Sequence, residues 1–163
     1  MTSLATNAHT HFSNWRDAEL AELFSTLPAG EAPSGYLHGR LFAIRGLGAL
    51  PRPLAQAIYR LLSTPINPWR GKSFRGGEGC NHLLWRHGPA LGHYRISKQN
   101  GMDDQPSLWL DYNIDRNPTL LRHIRGEARQ LRRDQWLCRM LWHNDRGQTT
   151  LLWFTLQGTQ HGR

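Results

Sequence analysis

From Trp69 onward the apolar residues of this chain alternate, one in two, within short runs separated by turn residues. The runs are 69–74 WRGKSF, 81–87 NHLLWRH, 90–97 ALGHYRIS, 107–113 SLWLDYN, 135–143 QWLCRMLWH and 149–157 TTLLWFTLQ. RGGEG, HGP, KQNGMDDQP and HNDRGQ stand between them as turn signals. Short strands joined by tight turns pair antiparallel with their sequence neighbours. Such a meander closes into a barrel or bends into a half-barrel. At 163 residues the chain is long enough for one domain with a single core and a small cavity.

Before Trp69 the dominant period is helical. SNWRDAELAELFSTLPAG predicts a helix capped by Ser13 or Asn14, with Asp17 and Glu19 in its positive first turn and Leu20, Leu23, Phe24 and Leu27 on one apolar face. Pro28 and Gly30 end it. YLHGRLFAI follows as a strand. ALPRPLAQAIYRLLSTPINP predicts a second helix, burying Leu54, Ile58, Leu61 and Leu62 and ending at Pro65. The stretch 114–134 is ambiguous. It predicts a short helix capped by Asn117 and running to about residue 124, then a strand over 126–131 that turns at Arg132-Arg133-Asp134. The expected fold is mainly β with helices (α+β): an antiparallel barrel with an N-terminal helix and a helix between its first two strands. Residues 1–12 and 158–163 are expected to be tails, and 13–157 the barrel domain.

Gly35 and Gly39 sit in the first expected strand, where glycine packs nothing. A barrel's first strand passes close to neighbouring backbone where the wall bends, and glycine permits that approach. An ordinary turn followed by an ordinary bulge accounts for the pair equally well.

AELFSTLPAGEAPSGYLHG, followed after a helix by PWRGKSF, resembles a little-characterised domain family named for its GxWxG motif. In that family a short helix ends in Leu-Pro, and Gly-x-Trp-x-Gly and Trp-x-Gly-Lys-x-Phe follow. Here Gly35-Tyr36-Leu37-His38-Gly39 carries Leu37 in place of the Trp, and Trp69-Arg70-Gly71-Lys72-Ser73-Phe74 is complete. LDYNID and ARQLRRDQWLCRM resemble the companion C-terminal domain, with Asn113 in place of an Asp and Cys138 in place of a Gly. The resemblance covers most of 18–142. It implies a lipocalin- or calycin-like barrel and says nothing of chemistry. In lipocalin-like barrels a first-strand Trp plugs the closed end. With Leu37 there, the plug is smaller or another of the seven Trp serves.

The formal charge is +8, and 18 of the 20 basic residues are Arg, the exceptions being Lys72 and Lys98. Such basicity raises nucleic acid or an anionic ligand as a partner. The Arg are spread along the chain, however, and no recognisable module interleaves them with aromatics. No apolar run approaches the ~20 residues of a membrane helix, and the N-terminal residues do not read as a secretory signal. Two cysteines, Cys80 and Cys138, make no disulfide framework, so a reducing cytoplasm is expected.

Alternation sorts candidate site residues by face. A small barrel has room for side chains or for one small ligand. Aromatic residues with a polar handle suit the lining of such a pocket, or fill the core outright. Trp69, Lys72, Phe74, Asn81, Trp85, Tyr94, Met140 and Trp142 are the expected lining, with Arg125 and Arg129 at the mouth. Asp111, Tyr112, His82 and Glu127 are candidates for acid–base catalysis. For both Asp111 and Glu127 the stronger reading is a structural one: partners of the nearby Arg or, for Asp111, a turn cap at a strand end. Cys80 and His82 share a strand face, which is weak support for a nucleophilic pair. Nine His show no ligand spacing, so no metal is expected. No phosphate loop is expected either, because no Gly-Lys-Ser/Thr follows the glycines of RGGEG.

The leading expectation is a cofactor-free protein that binds a small apolar, oxygenated molecule inside the barrel. A second is an enzyme on the same barrel, performing isomerisation, cyclisation or dehydration in a biosynthetic pathway. A third is a basic nucleic-acid-binding barrel.

Overall fold

The computed structural model describes residues 12, 15–46, 50–62, 69–83 and 90–158. Period-two alternation becomes β1 (Gly35–Ile44), β2 (Trp69–Arg75), β3 (Glu78–Leu83), β4 (Ala90–Asn100), β5 (Pro106–Asp111), β6 (Ile124–Arg132), β7 (Gln135–Asn144) and β8 (Gly147–Gly158). Each strand pairs with its sequence neighbour, and β8 returns to β1, so the eight form a closed barrel. Every pairing is antiparallel. Closure leaves none of the eight strands at a sheet edge.

The turns explain the order. Gly76 and Gly77, at φ 58° and 83°, form the two-residue link between β2 and β3. Positive φ at both positions matches the twist of a hairpin. RGGEG is thus a hairpin turn. Arg133 and Asp134 make the equally tight link from β6 to β7. Several strands run past their expected ends. β3 begins at Glu78, β4 continues to Asn100 and β8 spans Gly147–Gly158.

Alternation then builds two apolar layers. Inside the barrel lie Leu37, Phe74, Tyr94, Leu108, Leu110, Tyr112, Cys138, Phe154 and Leu156, among others. Outside, Leu20 and Phe24 of α1 (Asp17–Thr26) pack with Phe12, Ala43, Leu137 and Trp153. Burying side chains of this size stabilises by about 1.5–3 kcal/mol each. α2 (Arg52–Leu62) lies between β1 and β2 in sequence. Leu50 and Leu54 join the interior cluster, so α2 caps the barrel end where β1 finishes and β2 begins. The side chains of Ile58, Leu61 and Leu62 lie outside the described residues.

Several local expectations need correction. α1 starts at Asp17 with Arg16 as its cap. The Glu19 carboxylate takes the Arg16 backbone N–H at 2.7 Å, which occupies a donor that the helix leaves free. Ser13 and Asn14 lie outside the described residues. Phe12, in the segment expected to be a tail, is buried and stacks edge-on to Trp15 at 5.3 Å. Asn117 caps no helix. Its Oδ1 accepts the His93 N–H at 2.9 Å, and its Nδ2 donates to the His93 and Tyr112 carbonyls at 2.6 and 2.8 Å. A side-chain amide that copies a backbone pair ties the 112–118 loop to β4, and only a 3-10 turn (Thr119–His123) precedes β6. Among the described residues no helix is long and apolar enough to cross a membrane.

Candidate functional site in the barrel interior

β2 carries the central residue. Its register against β3 shifts between Trp69 and Gly71. A bulge of this kind re-aims side chains, and it lets Trp69 and Lys72, three apart, both face inward. Strict alternation would send them to opposite faces. The Trp69 indole meets Phe154 edge-on at 5.3 Å and donates its N–H to Asn81 Oδ1 at 3.3 Å.

Lys72 is completely buried. Its Nζ lies 2.5 Å from Asn81 Oδ1 and 2.5 Å from Tyr112 Oη. The Tyr94, Tyr112 and Phe154 rings surround it with centroids at 4.9, 5.2 and 5.5 Å. Asn81 Nδ2 donates to the Gly92 carbonyl at 3.3 Å and to Tyr112 Oη at 3.1 Å. Among the described residues no carboxylate pairs with this amine. Burial disfavours its charged form and brings its pKa from 10.5 to about 7, against weaker opposing pulls from Cys138 and Cys80. Burial also pushes the Tyr112 hydroxyl and the Cys138 thiol well above their usual ranges. Both stay protonated at neutral pH.

Four residues around the cluster keep some exposure to solvent. Asn81 and Trp69 are only partly buried, as are Leu41 and Met140, which face the same interior. Lys72, Asn81 and Tyr112 thus form a polar knot within an otherwise apolar interior.

The expected catalytic set does not converge. Tyr112 points inward, whereas Asp111, His82 and Glu127 lie on the outer face. Asp111 pairs with Arg125 at 3.1 Å and accepts the Asn113 N–H at 2.9 Å, which makes it a strand-end and ion-pair residue. His82 packs edge-on to Tyr36 at 5.6 Å and lies 3.6 Å from Cys80 Sγ. Glu127 is fully buried and binds Arg139 at 2.7 Å and the Met102 N–H at 2.6 Å. The physical reason is the pleat, because neighbours such as Asp111 and Tyr112 face opposite ways.

The expected mouth arginines are also corrected. Arg125 turns outward to Asp111 and to the Arg122 and Ile124 carbonyls, at 2.7 and 2.8 Å. Arg129 is buried beneath α1. There it pairs with Asp103 and donates to the Phe24 carbonyl at 2.9 Å and the Gln105 carbonyl at 3.0 Å. Phe74, Tyr94 and Trp142 are interior as expected. Trp85 lies outside the described residues. Among the described residues no cluster of three or more His, Cys, Asp or Glu could hold a metal. The polar knot linking Lys72, Asn81 and Tyr112 was not legible as a unit. The signal that could have found it is that Lys72 is one of only two Lys in an Arg-rich chain and stands two residues before an inward Phe.

No family model matches the chain, and no curated protein matches it. It is similar in structure to a crystal structure of a protein from Thermomonospora curvata, at 20% identity over 89% of this chain and 88% of that one, with a TM-score of 0.57. That likeness extends to the fold.

Proposed function

We propose that this chain is a binding protein for a small, largely apolar, oxygenated molecule, held in the barrel with its oxygen at the Lys72–Asn81–Tyr112 knot. The observation that carries the reading is that fully buried amine, hydrogen-bonded to an amide and a phenol, with partly exposed Asn81 and Trp69 beside it. A buried polar cluster costs stability unless fully satisfied. A few convergent polar groups among aromatic walls are also what orients a small guest. Leu41, Met140 and Phe154 supply the apolar contact. Eight antiparallel strands in simple order support a calycin-like assignment. The GxWxG resemblance agrees with it, Trp69 filling space beside the first strand where Leu37 is smaller than Trp.

Catalysis on the same site is the second reading. An amine whose pKa is brought to about 7 exchanges a proton readily at neutral pH, and Tyr112 stands next to it. Isomerisation or dehydration would then use Lys72 and Tyr112 in place of Asp111, His82 or Glu127. Nucleic-acid binding is disfavoured because Arg129 and Arg139 are buried in ion pairs.

Tryptophan fluorescence tests the proposal. Apolar alcohols, aldehydes and carboxylic acids are titrated into the wild type and Trp69→Phe. Saturable quenching that shrinks in Trp69→Phe is expected. A flat response to the whole panel in the wild type would sink the reading.

A further inference from the structure

Lys72 occupies a position where arginine would fail. A guanidinium stays charged, whereas an ammonium can shed its proton when desolvated. The chain uses Arg at 18 of its 20 basic positions, yet places Lys here. The hydrogen bonds fit the neutral amine. Tyr112 Oη accepts an N–H from Asn81 at 3.1 Å and another from Lys72 Nζ at 2.5 Å, which leaves its own proton and the Nζ lone pair uncommitted. Nζ also donates to Asn81 Oδ1 at 2.5 Å. The result is a neutral primary amine beside a hydroxyl proton donor, in an interior where no described carboxylate neutralises it. Desolvated lysines with these neighbours are nucleophiles toward carbonyl carbon.

We propose that Lys72 condenses with the carbonyl group of a small apolar aldehyde or ketone to form an imine in the barrel. This rests on the binding reading above and narrows its ligand to carbonyl compounds. The Nζ lone pair attacks the carbonyl carbon, and the Tyr112 hydroxyl supplies the proton that the carbonyl oxygen takes. One amine proton returns to Tyr112, leaving a carbinolamine. Loss of the hydroxyl with the remaining amine proton releases one water and leaves the C=N bond. No oxidant, reductant or metal enters the balance. Asn81 holds the amine in position, and the Phe154, Tyr94 and Tyr112 rings exclude water that would hydrolyse the product.

The test is reductive trapping of the intact protein with trans-cinnamaldehyde and cyanoborohydride at pH 7.5, followed by peptide mapping. A gain equal to the aldehyde mass less one oxygen is expected on Lys72, roughly tenfold faster than on Lys98. Lys98, near the end of β4, is half exposed and paired with Glu31 at 3.2 Å, and serves as the solvent-exposed internal reference. Tyr112→Phe should slow labelling of Lys72 by about tenfold, and an unchanged rate removes Tyr112 from the step. Labelling of Lys98 with Lys72 untouched overturns the proposal. Because the mapping is done on the unaltered chain, it does not depend on whether a Lys72 variant folds. Cinnamyl alcohol, which cannot form an imine, separates the two claims. If the alcohol quenches tryptophan saturably and Lys72 stays unlabelled, the imine fails and binding stands. If neither compound binds, both fall.

Discussion

The Trp69 indole occupies the space that a side chain at Gly39 would need. A Cβ built on Gly39 falls well inside van der Waals contact with the six-membered ring of that indole. β1 and the start of β2 thus approach across a gap that only glycine leaves open, and Trp69 fills it.

Gly39→Ala is therefore expected to destabilise the barrel by about 1–3 kcal/mol, the usual cost of overpacking. Urea melts measure it. The loss should shrink in the double variant Gly39→Ala/Trp69→Leu, because the two sites couple through one shared volume. Full additivity would mean that the indole does not sit where the geometry puts it.

Stability should rise with pH between about 7 and 9. The unfolded chain holds the Lys72 proton up to 10.5 and the folded chain only to about 7, so unfolding takes up a proton in that window. The slope is about 1.4 kcal/mol per pH unit for one proton. The groups acting on the amine oppose it at higher pH. Cys138 in the unfolded chain ionises from 9.0, and Tyr94 and Tyr112 from 10.0, while burial keeps all three protonated in the fold. The curve then flattens and turns down. Thermal melts of Lys72→Met should lose the rise between pH 7 and 9.

Glu127→Leu should cost about 3–5 kcal/mol, because it strands the buried Arg139 beneath α1. The double variant Glu127→Leu/Arg139→Met should recover much of that loss. Retention of saturable ligand quenching in the folded double variant would confirm that this pair is structural. Loss of quenching with the fold intact would return Glu127 to the site.

Asp111→Asn should change stability by no more than about 1 kcal/mol, because the carboxylate side of the Asp111–Arg125 pair is 36% exposed and Asn keeps an acceptor for the Asn113 N–H. Ligand quenching should be unaltered. A large loss of quenching would place Asp111 in the functional site despite its outward direction.

The sequence by itself determined the strands. Alternation from Trp69 onward, Gly76-Gly77 and the Arg-Asp turn after β6 are local signals, and a pleat of period two with tight turns leaves antiparallel neighbours as the economical pairing. Alternation also grouped residues such as Tyr94 with Ile96 and Trp142 with Cys138 on shared faces, while which face turns inward was left to the structure. What only tertiary structure decided is where that alternation breaks and what meets across the barrel. The bulge beside Gly71 turned Trp69 to the same side as Lys72, and closure brought Asn81 of β3 and Tyr112, just past β5, to the same amine. Asn117, Arg129 and Glu127 likewise took roles set by distant partners, among them His93 24 residues from Asn117, Phe24 105 from Arg129, and Arg139 and Met102 12 and 25 from Glu127. Local propensity acts over a few residues, whereas a buried amine or ion pair is specified by groups that become neighbours only once the wall has closed.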